Sequence, residues 1–152
     1  KWAVLAAAKQ DRHTQWVVGS NANLPVLPGT LDRVLCMFGF PVYPEFARVL
    51  KPGGQLLQVD AGPDHLRELR EIIYPSLKPE RPADPTAPAG EPLPYTLSLS
   101  SPARIADLLV MTPHLYRASA EGRARAAALE SLSLTVDVRL TRFARSGKRA
   151  RG

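Results

Sequence analysis

Cysteine is almost absent from this chain, which contains a single one, Cys36, among 152 residues. One cysteine cannot form a disulfide within the chain, and no cysteine and histidine spacing typical of a metal site occurs. Because Cys36 lies in the apolar run 34–38, we predict a buried packing residue and not a reactive thiol. A cytoplasmic location is the expectation that fits this cysteine content.

Long apolar runs and glycine-rich loops are also missing. No run approaches the roughly 18 residues that a membrane span needs, so no membrane association is predicted, and no secretory signal is visible. The ten glycines are scattered, and no Gly-x-Gly precedes a predicted helix. Hydrophobic residues nevertheless make up 45% of the chain, which is enough for one domain with a core.

The positive charge is concentrated at one end. The net charge is +6, and residues 142–152 contribute +5 of it, which leaves +1 for the other 141 residues. A basic tail of this kind is either a solvated terminus or an arm that contacts phosphate. The sequence favours the solvated terminus.

Helical and strand patterns alternate along most of the chain. Helices are predicted at 2–10, 44–50, 64–74, 102–110 and 120–129. Strands are predicted at 15–19, 32–38, 55–60, 95–99 and 133–143, and those at 32–38 and 55–60 read as buried on both faces. The order predicts an α/β fold with a parallel sheet and a closing antiparallel pair. The proline-rich segment 75–94 is predicted to be a mobile or polyproline-like loop, and 111–118 is predicted to be irregular.

The segment 48–74 is the most informative part of the chain. It reads as a helix end, a tight turn at 50–54, a buried strand, a short loop and a new helix, with His65 in the first turn of that helix. Ligands of α/β proteins collect in the loops that follow the carboxyl ends of strands. We therefore interpret His65 as a ligand contact, kept neutral by the positive end of the helix dipole. The alternative is a histidine that only caps its helix.

Several segments resemble those of one enzyme family, the 23S ribosomal RNA guanine-N1 methyltransferases. Lys51-Pro52-Gly53-Gly54 is shared by many methyltransferases and is a weak signal. The more specific segments are Gly62-Pro63-Asp64-His65-Leu66 and Met111-Thr112-Pro113-His114-Leu115-Tyr116-Arg117-Ala118. The resemblance covers nearly the whole chain.

This resemblance implies a class I, Rossmann-like fold that binds S-adenosylmethionine, with its first strands lacking in this chain. Residues 1–152 would then be a partial methyltransferase domain, the C-terminal part of the catalytic domain, and inactive alone. The family's zinc module and glycine-rich cofactor loop have no counterpart in the sequence, so zinc is expected only in that missing module. The position of Phe40 is usually a proline in the family, so the substrate side of the site differs.

Candidate site residues follow from the resemblance and from their places after strands. A catalytic base is not assigned, and no metal ligand is expected. Contacts to the cofactor are predicted for His65, Ser20, Asn21, Phe38 and Gly39. Contacts to RNA are predicted for Phe40, Asp60 and Arg117. Ser20 and Asn21 are equally compatible with simple turn formation, and Phe38 with core packing.

Two alternatives stay open at the level of the sequence. One is a methyltransferase that acts on a small molecule, and the other is a non-catalytic methyltransferase-like module that binds RNA or protein. The predicted partner is 23S ribosomal RNA, and a homodimer is possible. A glycine-rich loop and four zinc-type ligands upstream of Lys1 would favour the ribosomal RNA enzyme.

Overall fold

A computed structural model of the chain describes residues 2–77 and 90–146. Its helices are α1 (Trp2–Gln10), α2 (Tyr43–Val49), α3 (Arg67–Ile73), α4 (Pro102–Met111), α5 (His114–Arg117) and α6 (Ala120–Ala127). Its strands are β1 (Leu31–Met37), β2 (Leu50–Ala61), β3 (Glu91–Leu99) and β4 (Leu132–Ala144). None of the helices in this described part is long and apolar enough for a membrane crossing.

The strands form one four-stranded sheet with the order β1-β2-β4-β3. The last two strands are antiparallel, with Glu91 opposite Leu140 at one end and Leu99 opposite Leu132 at the other. The predicted α/β class and the antiparallel closing pair are therefore confirmed. A mixed sheet in which helices connect the strands is consistent with a Rossmann-like fold.

The chain divides into two compact units, and β2 and β4 each contribute residues to both. Unit 1 comprises residues 1–57 and 142–152, and unit 2 comprises residues 58–141. The core of unit 1 is small and consists of Cys36, Phe46, Leu50 and Leu56, with partly buried neighbours around them. The burial of Cys36 agrees with its predicted packing role.

Unit 2 has the larger core. Its fully buried side chains come from α3, α4 and β4 and include Leu69, Ile73, Ile105 and Leu134. α4 begins at Ser101, whose hydroxyl accepts a hydrogen bond from the backbone N–H of Arg104, as expected for a helix cap. The apolar alternation predicted for the late strand is present, since Leu134, Val136 and Val138 are all buried.

The structure corrects two predictions in unit 1. Residues 15–19 form no strand, and Val17 and Val18 are exposed. β1 is present, but it is not buried on both faces, because Leu35 and Met37 are more than half exposed. Its place at the end of the sheet order explains the difference, since an edge strand is covered less completely than a central one.

The predicted tight turn at 50–54 is also wrong. These residues are the first part of β2, which runs without a break from Leu50 to Ala61. Gly53 adopts a positive φ of 78° inside the strand. Its N–H donates to the carbonyl of Arg145, and the Gly54 carbonyl accepts from the N–H of Arg145. Two residues of β2 thus pair with one residue, as in a β-bulge with a left-handed glycine. Pairing with β4, which is remote in sequence, thus overrides a local turn signal.

The helix predicted at 64–74 begins later, at Arg67. Leu66, directly before it, has a left-handed backbone (φ 53°, ψ 35°), which separates the preceding turn from the helix. His65 therefore lies in the turn and not in the first helical turn. The helix-dipole argument for a neutral His65 does not apply at this position.

Two further predictions change in unit 2. Pro92 and Pro94 lie within β3, not in a loop, because β3 is the other edge of the sheet, where a missing N–H is tolerated. The segment 111–118 contains the short helix α5 and is not wholly irregular. Residues 78–89 of the predicted proline-rich loop and residues 147–152 of the basic tail lie outside the described residues.

Candidate functional site

The loop that follows β2 in unit 2 is held in place by β4. The N–H of Gly62 donates to the carbonyl of Asp137 at 2.8 Å, and the N–H of Asp64 donates to Oδ2 of Asp137 at 3.1 Å. Leu66 donates its N–H to the carbonyl of Thr135. Asp137 is only 6% exposed. A buried carboxylate thus fixes the conformation of the loop that carries His65.

Gly62 is required at its position by close contact and not by backbone conformation. A Cβ atom at this residue would lie 2.3 Å from the Asp137 carboxylate. No other residue type fits there without displacing the carboxylate that holds the loop. The need for glycine at this position of the first specific motif is therefore explained by a side chain of β4.

The side chain of His65 is partly buried next to this loop. Burial lowers the pKa of His65 below its usual value, and the nearby Arg70 adds to this, whereas the backbone and charge of Asp137 act in the opposite direction. The prediction of a neutral His65 thus has support, but from burial instead of the helix dipole. A neutral imidazole can both donate and accept a hydrogen bond to a bound molecule.

The second specific motif contributes α5, which packs near the end of α3. The hydroxyl of Tyr74 and Nδ1 of His114 are 2.8 Å apart, and the two rings meet edge to face at 5.7 Å. Burial lowers the pKa of His114, and the charges of Arg70, Arg117 and His65 lower it further. In unit 2, charged residues near the first specific motif therefore affect the pKa of a histidine in the second.

Asp60 and Arg117, predicted to contact RNA, lie in unit 2. Oδ2 of Asp60 accepts a hydrogen bond from Nε2 of Gln58 at 2.7 Å, near the end of β2. Arg117 is exposed at the end of α5, beside His114. Arg117 and His65 both act electrostatically on His114.

In unit 1, Asn21 and Gly39 line a common cavity of about 270 Å³ with Leu24, Val34, Leu35, Cys36, Met37 and Phe46. Nδ2 of Asn21 donates to the carbonyl of Phe40 at 3.0 Å, which joins the loop after α1 to the loop after β1. Ligand pockets usually measure roughly 300–1,000 Å³. This cavity is large enough for one ring system of a ligand and not for a whole nucleoside derivative.

The remaining predicted residues of unit 1 flank this cavity in sequence. Ser20 accepts a hydrogen bond from the N–H of Ala22 and forms an isolated bridge with Asn23, so its visible role is turn formation. Phe38 follows β1 with a positive φ of 51° and is more than half exposed. Phe40 is 91% exposed. Left-handed backbone at a phenylalanine costs energy and is typical of binding loops.

Three residues of the site were not assigned a role from the sequence: Asp137, Tyr74 and His114. Asp137 carried a signal, since it is the acid within an otherwise apolar strand pattern. Its contact with Gly62 could not be read from the sequence because the two are 75 positions apart. Within the described residues, no group of His, Cys, Asp and Glu could hold a metal ion.

The comparisons with known proteins point to methyltransferases. No family model matches the chain. It is 32% identical, over 149 aligned residues, to the Bacillus subtilis protein named "Putative 23S rRNA (guanine-N(1)-)-methyltransferase YxjB". The match covers 91% of this chain and 52% of the relative, so the chain spans about half the length of that curated protein.

Solved structures with a similar fold were also found. One is described as "a Putative Type II Methyltransferase from Anaeromyxobacter dehalogenans". It has a TM-score of 0.49 and 16% identity and covers 88% of this chain and 72% of its own. Another is the YcgJ protein from Bacillus subtilis, with a TM-score of 0.41, 18% identity and coverages of 93% and 76%.

Proposed function

We propose that this chain is the C-terminal part of the catalytic domain of an S-adenosylmethionine-dependent methyltransferase that modifies N1 of a guanine in 23S ribosomal RNA. The likeness to YxjB over nearly the whole chain carries the proposal. The α/β fold and the tightly held loop of His65 support it, because this loop follows a strand where α/β enzymes bind ligands.

The residues of unit 1 fit the adenine end of the cofactor. The cavity beside Asn21 and Gly39 has room for one ring system, exposes polar and apolar surface in about equal parts, and has a side-chain amide in its lining. Such an amide suits the exocyclic amine of adenine. When bound, the cofactor supplies an activated methyl group on a sulfonium.

The residues of unit 2 are proposed to contact both the cofactor and the RNA. His65 is proposed to contact the cofactor, and Asp60 and Arg117 to contact RNA. Transfer to guanine N1 requires loss of a weakly acidic proton, and the chain's part is to align the base and stabilise the charge that develops. The target guanine must be turned out of folded RNA to be reached.

Cells that lack the gene encoding this chain test the proposal. N1-methylguanine blocks Watson–Crick pairing, so reverse transcriptase stops at it. We expect one stop in 23S ribosomal RNA to disappear on deletion and to return with the intact gene, but not with a His65→Ala copy. A His13→Ala copy is the matched control, because His13 is exposed.

An unchanged set of stops in the deletion strain contradicts the proposal. Methyl transfer from the labelled cofactor to a small metabolite, with the ribosomal RNA unaltered, would support the small-molecule enzyme instead. Normal methylation by the His65→Ala protein would remove His65 from the site while leaving the proposed reaction intact.

A further inference from the structure

Unit 2 contains a group of basic and aromatic side chains that has no paired carboxylate among the described residues. We define the arginine–histidine cluster as Arg70, Tyr74, His114 and Arg117. Arg70 and Tyr74 belong to α3 and its end, and His114 and Arg117 belong to α5. Tyr74 joins the two elements through its 2.8 Å contact with His114.

Several other arginines near α3 and β4 have an acidic partner. Arg67 pairs with Asp64 and Glu71, Arg125 pairs with Glu121, and Arg139 lies 3.8 Å from Asp137. Within the described part of the chain, neither Arg70 nor Arg117 has a carboxylate within ion-pair distance. Both charges act on His114, and neither is neutralised by an ion pair among these residues, so they create a positive potential that favours a bound anion.

The hydrogen-bonding state of Arg70 supports the same conclusion. One terminal nitrogen donates to the carbonyl of Pro63 at 2.7 Å, which fixes the guanidinium against the loop of the first motif. Its Nε is buried and has no hydrogen-bond partner among the residues that the structure describes. A buried donor of this kind normally has an acceptor. The guanidinium is therefore held in place with donor capacity to spare.

We propose that the arginine–histidine cluster binds a backbone phosphate of RNA. The proposal rests on the proposed function for the identity of the RNA, and it extends that function from Arg117 to Arg70, His114 and Tyr74. Guanidinium groups suit phosphate because they donate several hydrogen bonds in one plane. The exposed ring of Tyr116, beside Arg117 on α5, offers a surface for stacking a neighbouring base.

The cluster also predicts how binding depends on pH. The groups that face His114 are Arg70, Tyr74, His65 and Arg117, and its pKa is lowered by burial first and then by the cationic ones among them. A bound phosphate offsets those cations and favours protonation of His114. Binding should therefore tighten as the pH falls below the usual histidine pKa of about 6.5.

Titration of the intact 152-residue chain with inorganic phosphate, followed by NMR of its histidine rings at constant ionic strength, tests the site. We expect phosphate to raise the pKa of His114. Arg70→Gln and Arg117→Gln should each weaken phosphate binding about tenfold, the loss expected for one charged hydrogen bond. Arg104→Gln is the matched control, since Arg104, like Arg117, is exposed and has no ion pair among the residues that the structure describes, but lies outside the cluster.

A short single-stranded RNA is the second probe and should shift the same rings, with the same order of variants. The proposal is overturned if phosphate leaves His114 unchanged, or if Arg104→Gln weakens binding as much as Arg117→Gln. Neither probe needs the cofactor. Phosphate binding at the cluster together with unaltered 23S methylation in the deletion strain would refute the proposed enzyme and keep the proposed phosphate site. Loss of the methylation together with no binding at the cluster would keep the enzyme and refute the phosphate site.

Discussion

Asp137, on β4, holds the loop that carries His65 in the candidate site. Its backbone carbonyl and its carboxylate each accept a hydrogen bond from the loop of the first motif. The same carboxylate occupies the space that a side chain at residue 62 would need. One buried acid on β4 therefore accounts for the glycine and for the placement of His65.

Gly62→Ala should destabilise the protein by about 2 kcal/mol, the cost expected when a methyl group is forced into a filled space. The measurement is the free energy of unfolding in urea. Asp137→Ala removes the carboxylate that the new methyl group would meet. The double variant should therefore be less destabilised than the two single losses added together, and strict additivity would contradict a clash between these residues.

Glu45 shows a second residue-scale effect, in unit 1. The Arg48 guanidinium and the N–H of Leu24 donate to the Glu45 carboxylate and lower its pKa from 4.5 to about 2. A carboxyl whose pKa is lower in the folded state stabilises the protein above pH 4.5. That stabilisation is lost as the pH falls from about 4.5 to about 2.

Glu45→Gln should therefore reduce the fall in unfolding free energy between these two pH values, because the titrating group is gone. Urea unfolding at a series of pH values measures it. Arg48→Gln removes the partner and should reduce the same slope. An acid-side slope in Glu45→Gln equal to that of the natural protein would show that this carboxyl does not govern acid unfolding.

At the scale of elements, α3 and α6 approach each other so closely that their contact depends on a glycine. A Cβ at Gly122 would lie 2.0 Å from the carbonyl oxygen of Ile73, at the end of α3. Nε of Arg125 donates to the neighbouring Ile72 carbonyl at 2.8 Å. Gly122 of α6 thus leaves room for the end of α3, and Arg125 of α6 donates a hydrogen bond to it. α3 is the helix that follows His65.

Gly122→Ala should cost about 3 kcal/mol of stability, since rigid backbone atoms have to move. Thermal and urea unfolding monitored by circular dichroism measure the loss. Ala124→Ser, an exposed change on the same helix, should cost less than about 0.7 kcal/mol. Equal losses for the two variants would contradict the close approach of the helices.

At the scale of the whole molecule, the two units differ in how much core they contain. The buried cluster of unit 1 comes from β1, α2 and the first half of β2, and β1 is largely exposed. The cluster of unit 2 extends over α3, α4, α6 and the middle of β4. Exposed elements with few buried apolar contacts open more readily than core strands.

Amide hydrogen exchange should therefore be uneven along the sheet. We expect the amides of β1 to exchange at least about tenfold faster than those of Leu134–Val138 in β4, a difference of roughly 1.4 kcal/mol in opening free energy. Mass spectrometry of exchanged peptides measures both segments in one experiment. Equal protection of the two strands would show that β1 is as stably held as the core of unit 2.

The sequence by itself determined the α/β class, most of the helices, and the two motifs that carry the site. These depend on local patterns: apolar periodicity, the Ser101 cap, and short loops after strands. The sequence did not determine where β2 begins, why the prolines of β3 are tolerated, or where α3 starts. Pairing with β4, an edge position in the sheet and the left-handed Leu66 decided those points.

Only the tertiary structure joined Gly62 to Asp137 and Tyr74 to His114. Each pair is separated by 40 or more positions, and its contact exists because β4 and α5 fold back onto the loop and helix that follow β2. Local propensity contains no information about such contacts, since they depend on which strands pair and which helices pack. Part of the candidate site, including His65 and Arg117, could therefore be predicted from the sequence, and the cause of its arrangement could not.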